Sequence, residues 1–207
     1  MDSVQLVIEF LGTFAFAISG IRSASSKNFD WFGGYVVGLA TAIGGGTIRD
    51  VMLGQVPFWM TNSIYIVCTA AALLTFVLLK RLFTRLSKTW FLFDTLGLAL
   101  FTIAGVQKTL IAGFPFWVAI IMGSITGAAG GVLRDVLVNE VPLIFRKEIY
   151  AIACILGGLV YQFCHFLNAS IELTVIVTFV SVVLVRCLAV KYRISLPVLK
   201  DPDLWKK

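Results

Sequence analysis

The sequence predicts an all-α integral membrane protein with seven transmembrane helices. They form two inverted three-helix repeats plus a seventh helix, with the N-terminus out and the C-terminus in. Three observations predict this. Apolar stretches of membrane-crossing length follow one another along nearly all of the 207 residues. One half of the chain repeats the other in constant register. Lys and Arg gather on alternate loops.

Hydrophobic residues make up 59% of the chain and the mean hydropathy is +0.95, against about 45–50% apolar in a soluble domain. A spanning helix needs roughly 17–25 apolar residues. Seven stretches qualify: about 4–22, 31–54, 62–80, 90–107, 116–138, 149–167 and 170–190. Little length remains for a soluble domain, so enzyme chemistry is not expected. The first stretch lacks a basic leader, carries Glu9 and is matched by the internal segment 91–107, so it reads as a retained span.

The repeat is explicit. Gly45-Gly46-Thr47-Ile48-Arg49-Asp50-Val51 returns as Gly130-Gly131-Val132-Leu133-Arg134-Asp135-Val136, and Val56-Pro57 returns as Val141-Pro142. The offset is 85 residues without a gap, and positions 11–65 contain 17 identities in 55. Among them are Gly12 with Gly97, Phe16 with Phe101 and Tyr65 with Tyr150. The whole chain, 1–207, therefore reads as one membrane domain. Repeat 1 covers about 4–82 and repeat 2 about 89–167, followed by helix 7 at about 170–190 and a tail at 191–207. A three-span unit is odd-numbered, so its second copy enters from the opposite face. Inverted repeats recur among transporters, with a solute path at their interface.

With seven spans, fourteen of the 17 basic residues fall on the C-terminal side and only Lys108 on the N-terminal side. The remaining two, Arg49 and Arg134, lie within spans. Basic residues accumulate in the cytoplasm, which fixes N-out and C-in. The same bias accounts for the net charge of +6, leaving no reason to invoke nucleic acid as a partner.

Spans 2 and 5 carry the informative residues. Each begins at an aromatic pair, Trp31-Phe32 and Phe116-Trp117, suited to the bilayer interface. Each then reaches glycines near the middle: Gly44, Gly45 and Gly46 in one, Gly130 and Gly131 in the other, where Ala129 replaces the first glycine. Consecutive glycines weaken a helix by about 1 kcal/mol each, so a break is expected at both places. Broken backbone at membrane depth is tolerated only inside protein or beside water. Arg49-Asp50 and Arg134-Asp135 follow, and charges at this depth face a bundle interior or an aqueous cavity. They either border a permeation path or form a structural ion pair. Adjacent residues point to different helix faces, so each Arg is expected to pair across to another helix. Thr41 and Thr126 offer hydroxyls either to a permeating ion or to the preceding helical turn. Glu9 aligns with Asp94; both are interfacial or at a pore mouth. Lys108 reads as a solvated loop lysine, with gating as its other reading.

Cys68, Cys154, Cys164 and Cys187 are scattered in apolar segments without a CxxC, and His165 is the single histidine, so no metal or cofactor is expected. No P-loop, TVGYG-like filter, HExxH or GxSxG occurs.

Two three-span repeats, each with glycines and then Arg-Asp, a seventh helix, and the stretch Arg146-Lys147-Glu148-Ile149-Tyr150-Ala151 resemble the trimeric intracellular cation (TRIC) channel family in its bacterial branch. The resemblance covers about residues 4–192. It implies a homotrimer in a bacterial inner membrane, with a separate pore in each protomer. It implies an hourglass path lined by spans 2 and 5, kinked at Gly44, Gly45, Gly46, Gly130 and Gly131, and permeant monovalent cations, K+ chiefly or Na+. Some bacterial relatives are associated with uptake of a small amino acid such as glycine. A carrier for such a solute, using the same repeats as alternating gates, is the second functional class.

Overall fold

In the computed structural model, residues 3–85, 89–146 and 149–197 are described. The basic residues Lys88, Lys147, Lys200, Lys206 and Lys207, and with them the end of the expected tail, lie outside the described residues. The described residues form nine α-helices and one 3-10 helix, with no strand among them. They are α1 (Ser3–Ser26), α2 (Trp31–Met52), α3 (Phe58–Thr61), α4 (Ile64–Leu78), α5 (Lys80–Arg85), α6 (Thr89–Ile111), α7 (Phe116–Leu137), the 3-10 turn Leu143–Phe145, α8 (Ala151–Phe166) and α9 (Ile171–Tyr192).

Local chemistry sets the boundaries. Asp30 caps α2 by accepting from Gly33 N, and Ser170 caps α9 by accepting from Leu173 N. After α2 and α7 the chain turns at Gly54 and Asn139, one repeat apart, both with left-handed backbone (φ 67° and 55°). Pro57 and Pro142 then start α3 and the 3-10 turn. The recurring Val-Pro pair is thus the restart of the chain after each Arg-Asp helix.

Five helices, α1, α2, α6, α7 and α9, are long and apolar enough to cross a membrane. α4 and α8, with 15 and 16 residues, are shorter than the expected third and sixth spans. In each half, α3 or the 3-10 turn occupies the chain just before the short helix.

α1, α2, α6 and α7 form the central bundle, with α1 packed on α2 and α6, and α7 on α2 and α6. α4 flanks α1 and α2; α8 flanks α6 and α7. α9 packs on α6 and α8 and has no counterpart in repeat 1. The break expected at the glycines is absent as a change of secondary structure: α2 and α7 stay helical through Gly44–Gly46 and Gly130–Gly131. The cost of these glycines is offset by close packing, because small residues let helix backbones approach.

Candidate permeation site

α2 and α7 cross at their glycines. A Cβ on Gly45 would overlap the Thr126 carbonyl oxygen, and a Cβ on Gly130 would overlap the Thr41 carbonyl oxygen. These are one contact seen from either repeat. The same reciprocity joins Gly12 to the Phe101 ring and Gly97 to the Phe16 ring, and the two rings stack with centroids 5.4 Å apart. Such pairs are the signature of a two-fold relation between the halves. Gly44 faces Leu133, Gly46 faces the Phe58 ring and Gly131 faces the Tyr150 hydroxyl. The Thr41 and Thr126 hydroxyls donate to the carbonyls of Val37 and Met122, each at 2.6 Å. Both threonines are fully buried, so their hydroxyl protons are committed to the preceding turn.

Arg49 and Arg134 lie in the last turns of α2 and α7, where a cation complements the helix dipole. Each organises a buried charge cluster. In the first, Arg49 Nε donates to Asp50 Oδ1 at 2.8 Å and Nη2 lies 3.8 Å from Glu9 Oε1. Tyr65 donates its hydroxyl to Glu9 Oε2 at 2.7 Å, and Asp50 Oδ2 accepts from Phe58 N at 2.9 Å. In the second, Arg134 Nε donates to Asp135 Oδ1 at 2.9 Å and Nη1 donates to Asp94 Oδ1 at 2.5 Å. Tyr150 donates to Asp94 at 3.3 Å, and Asp135 Oδ2 accepts from Leu143 N at 3.0 Å. Every one of these partners has its mate 85 residues away. Each Asp does two jobs: it pairs with the neighbouring Arg and it holds the start of the next short helix.

The clusters differ in their second cation. Lys108 Nζ lies 2.8 Å from Asp50 Oδ1 in the first. Arg186 of α9 lies 3.5 Å from Asp94 Oδ2 in the second and stacks over the Tyr150 ring at 4.9 Å. Each cluster then holds two carboxylates and two cations, which is how buried charge is made affordable. The placements are not equivalent. The repeat mate of Lys108 is Ser23. Beside Asp135 there is a cavity of about 300 Å³, lined by Ser23 and Asp135 with Arg22, Lys27, Glu140 and Arg146 at its mouth. At that mouth Glu140 binds Lys27 at 2.6 Å and Arg146 at 3.1 Å. One end of the bundle is filled by Lys108 against its aspartate; the other end is open to its aspartate.

A family model described as Glycine transporter matches the chain twice, over residues 6–81 and 91–166. A UPF0126 membrane protein of Vibrio cholerae is 40% identical over 94% of this chain and 82% of its own. The UPF0126 inner membrane protein YadS of Escherichia coli K12 is 40% identical over 92% and 93%. Among solved structures, the TRIC trimeric intracellular cation channel orthologue from Rhodobacter sphaeroides superposes with a TM-score of 0.88 at 30% identity, covering 93% of this chain and 100% of that one. A structure described as showing conductance through TRIC cation channels superposes with a TM-score of 0.83 at 34% identity, covering 94% and 97%. The chain belongs to the TRIC channel family.

It is a multi-pass membrane protein with the TRIC channel fold. In this TRIC-family chain the residues singled out from the sequence fall into three groups. Gly45 and Gly130 make the helix crossing. Gly44, Gly46, Gly131, Thr41 and Thr126 are buried around it. Arg49, Asp50, Arg134 and Asp135 form two clusters toward opposite ends of the bundle, and do not meet at its middle. Each Arg pairs across to an acid on another helix, as expected, and its side chain also reaches the neighbouring Asp, which was not. Lys108 is not a solvated loop residue; it ends α6 and is 18% exposed in its side chain. Arg186, assigned by charge to the cytoplasmic side, is fully buried. Ser19, which accepts from Arg134 Nη1 at 2.8 Å, was missed, and its repeat mate Ala104 gave no signal. Tyr65 and Tyr150 were visible as repeat identities, with nothing in the pattern to say that they bind the aligned acids Glu9 and Asp94.

Proposed function

We propose that the protein is a monovalent cation channel, permeated chiefly by K+, with one path in each protomer between the glycine-bearing helices α2 and α7. The observation that carries this reading is the cavity that reaches Asp135 from one end, combined with the Lys108–Asp50 pair that fills the corresponding place at the other. On this reading Asp135, although paired with Arg134 and approached past Arg22, Lys27 and Arg146, is the carboxylate that a cation can reach, and Lys108 occupies its mate Asp50. The constriction on this reading falls at the α2–α7 crossing, where Gly45 meets the Thr126 carbonyl and Gly130 the Thr41 carbonyl, and Lys108 closes the path at its own end.

The same reading has seven spans, with α4 and α8 as the two short ones, and the repeat boundaries given above. The described basic residues Arg22 and Lys27 lie at or just past the C-terminal end of α1, Arg146 lies after α7, and Lys191 and Arg193 lie at the C-terminal end of α9, which supports N-out and C-in under the positive-inside rule. A homotrimer in a bacterial inner membrane rests on likeness to the Rhodobacter sphaeroides orthologue, which is described as trimeric, and to the inner membrane protein YadS.

The second reading is a carrier for a small solute such as glycine. It is favoured by the description of the matching family model and by a path open at one end and closed at the other, as alternating access requires. Planar-bilayer recording of the purified protein in KCl, run beside radiolabelled glycine uptake into proteoliposomes, separates the two. A channel gives unitary K+ currents. Glycine uptake that saturates, without unitary currents, would overturn the channel reading.

A further inference from the structure

A second cavity, of about 750 Å³, opens on the N-terminal side of the bundle, away from the cavity at Asp135. It lies where the start of α1, the end of α6, the end of α8 and the start of α9 meet, and its lining includes Gln5, Gln107, Tyr161, His165, Ile171 and Glu172. Neither repeat's Arg-Asp cluster contributes to it.

Two independent features give this cavity a chemical preference. The first is Gln107, which is only 7% exposed. It lines the cavity beside Tyr161, itself 5% exposed, and its carbonyl Oε1 is buried without a partner. A buried acceptor left unpaired costs about 1–3 kcal/mol, so it favours a ligand that brings a donor. The second is charge. Glu172 lines the cavity, and none of its described lining residues is Lys or Arg. Glu172 alone would need no ligand, because an acid in the first turn of α9 already complements that helix's dipole. With a buried orphan acceptor in the same cavity, the pair matches a group with several N–H donors and a positive charge. Val4, Leu110, Ile111 and Ile171 supply an apolar part of the wall beside the polar Gln5, Tyr161 and His165, and the site is at the end of the bundle where α1 and α9 begin.

We propose that this cleft binds the protonated primary amine of an amphipathic molecule, with the ammonium group between Glu172 and the Gln107 carbonyl and the apolar part against Ile171. Two sources supply that chemistry: a soluble alkylamine and the headgroup of an ethanolamine phospholipid. A size of about 300–1,000 Å³ suits either. The site is separate from the proposed cation path.

The test uses the full chain purified in detergent. Thermal unfolding is followed with n-butylammonium chloride, with n-butanol and with NaCl at matched concentrations. A saturable rise of about 2–4 °C with the amine alone is expected, abolished in Glu172→Gln and reduced in Gln107→Leu. Glu172 is exposed, so Glu172→Gln should melt like the parent without ligand. In parallel, native mass spectrometry compares retention of phosphatidylethanolamine with that of phosphatidylglycerol. Preferential retention of the ethanolamine lipid, lost in Glu172→Gln, assigns the site to a lipid headgroup. An amine-specific thermal shift without that retention assigns it to soluble amines. A thermal shift that survives in Glu172→Gln puts the amine elsewhere and overturns the proposal, as does the absence of both effects.

Discussion

Lys108 reaches Asp50 at 2.8 Å, and the residue that the 85-residue offset sets in the matching place beside Asp135 is Ser23. The two repeats thus differ in the residue set beside this aspartate. Removal of Lys108 is the most direct test of the closed end. A charge-assisted hydrogen bond contributes about 1.5–3 kcal/mol, so Lys108→Met should raise open probability by roughly tenfold or more. Single-channel recording measures this, and an unchanged open probability places the gate elsewhere. The converse change, Ser23→Lys, should lower conductance by placing a cation beside Asp135.

Gly45→Ala and Gly130→Ala should each destabilise the protein. Ala is the better helix former by about 1 kcal/mol, but here its Cβ would overlap the carbonyl of the crossing helix, and overpacking costs about 1–3 kcal/mol. Gly34 supplies the control on the same helix. A Cβ there meets its nearest neighbour, Leu73 Cδ1, at 4.0 Å, so Gly34→Ala should be neutral or mildly stabilising. Thermal unfolding in detergent gives the order, and equal behaviour of all three variants would refute the close crossing.

Removing Arg134 leaves Asp135 without its cation and Asp94 with Arg186 and Tyr150 alone. Breaking a buried pair from one side costs about 3–5 kcal/mol, so Arg134→Met should abolish stable assembly or lower the melting temperature strongly. Arg134→Met combined with Asp135→Asn should recover part of the loss, because the second change removes a stranded charge. Size-exclusion profiles and melting curves of the single and double variants check the expected coupling.

The Lys27–Glu140 pair should make the mouth of the Asp135 cavity sensitive to acid. Lys27 holds the Glu140 carboxyl below its ordinary value of 4.5. A depressed carboxylate contributes stability that is present above that ordinary value and lost as pH falls through the lower folded value. The effect is small, because the pair is exposed and screened. Glu140→Gln should flatten the acid limb of a thermal-stability profile recorded below about pH 4.5, and leave the neutral region nearly unchanged.

The sequence carried the fold a long way, because duplication leaves its mark on spacing. The offset that pairs Gly45 with Gly130 and Thr41 with Thr126 also names the partners across the crossing, although it is silent on whether such partners touch. Side-chain reach was harder to read. Helical geometry separates adjacent Cβ atoms, yet an arginine in a last turn has enough length to fold back on its neighbour while meeting an acid on another helix. The glycines suggested a break because their propensity is poor; the close approach of a second backbone was invisible in one dimension. Arg186 was legible as a charge toward the C-terminal end of helix 7, but a single arginine there carries no sign that it is buried against an acid on α6.

That arginine bears on how such a chain can have arisen. Each half brings two acids and one arginine to its own cluster and is short of one positive charge. Two identical halves, inserted in opposite directions, would leave the same deficit at both ends. Here the deficit is met asymmetrically, by a lysine of the second half that stands where the first half has Ser23, and by the further helix that supplies Arg186. The ninth helix is thus an electrostatic complement to the duplication, and a chain cut back to its two halves would keep its symmetry while losing the neutrality of its second interior cluster.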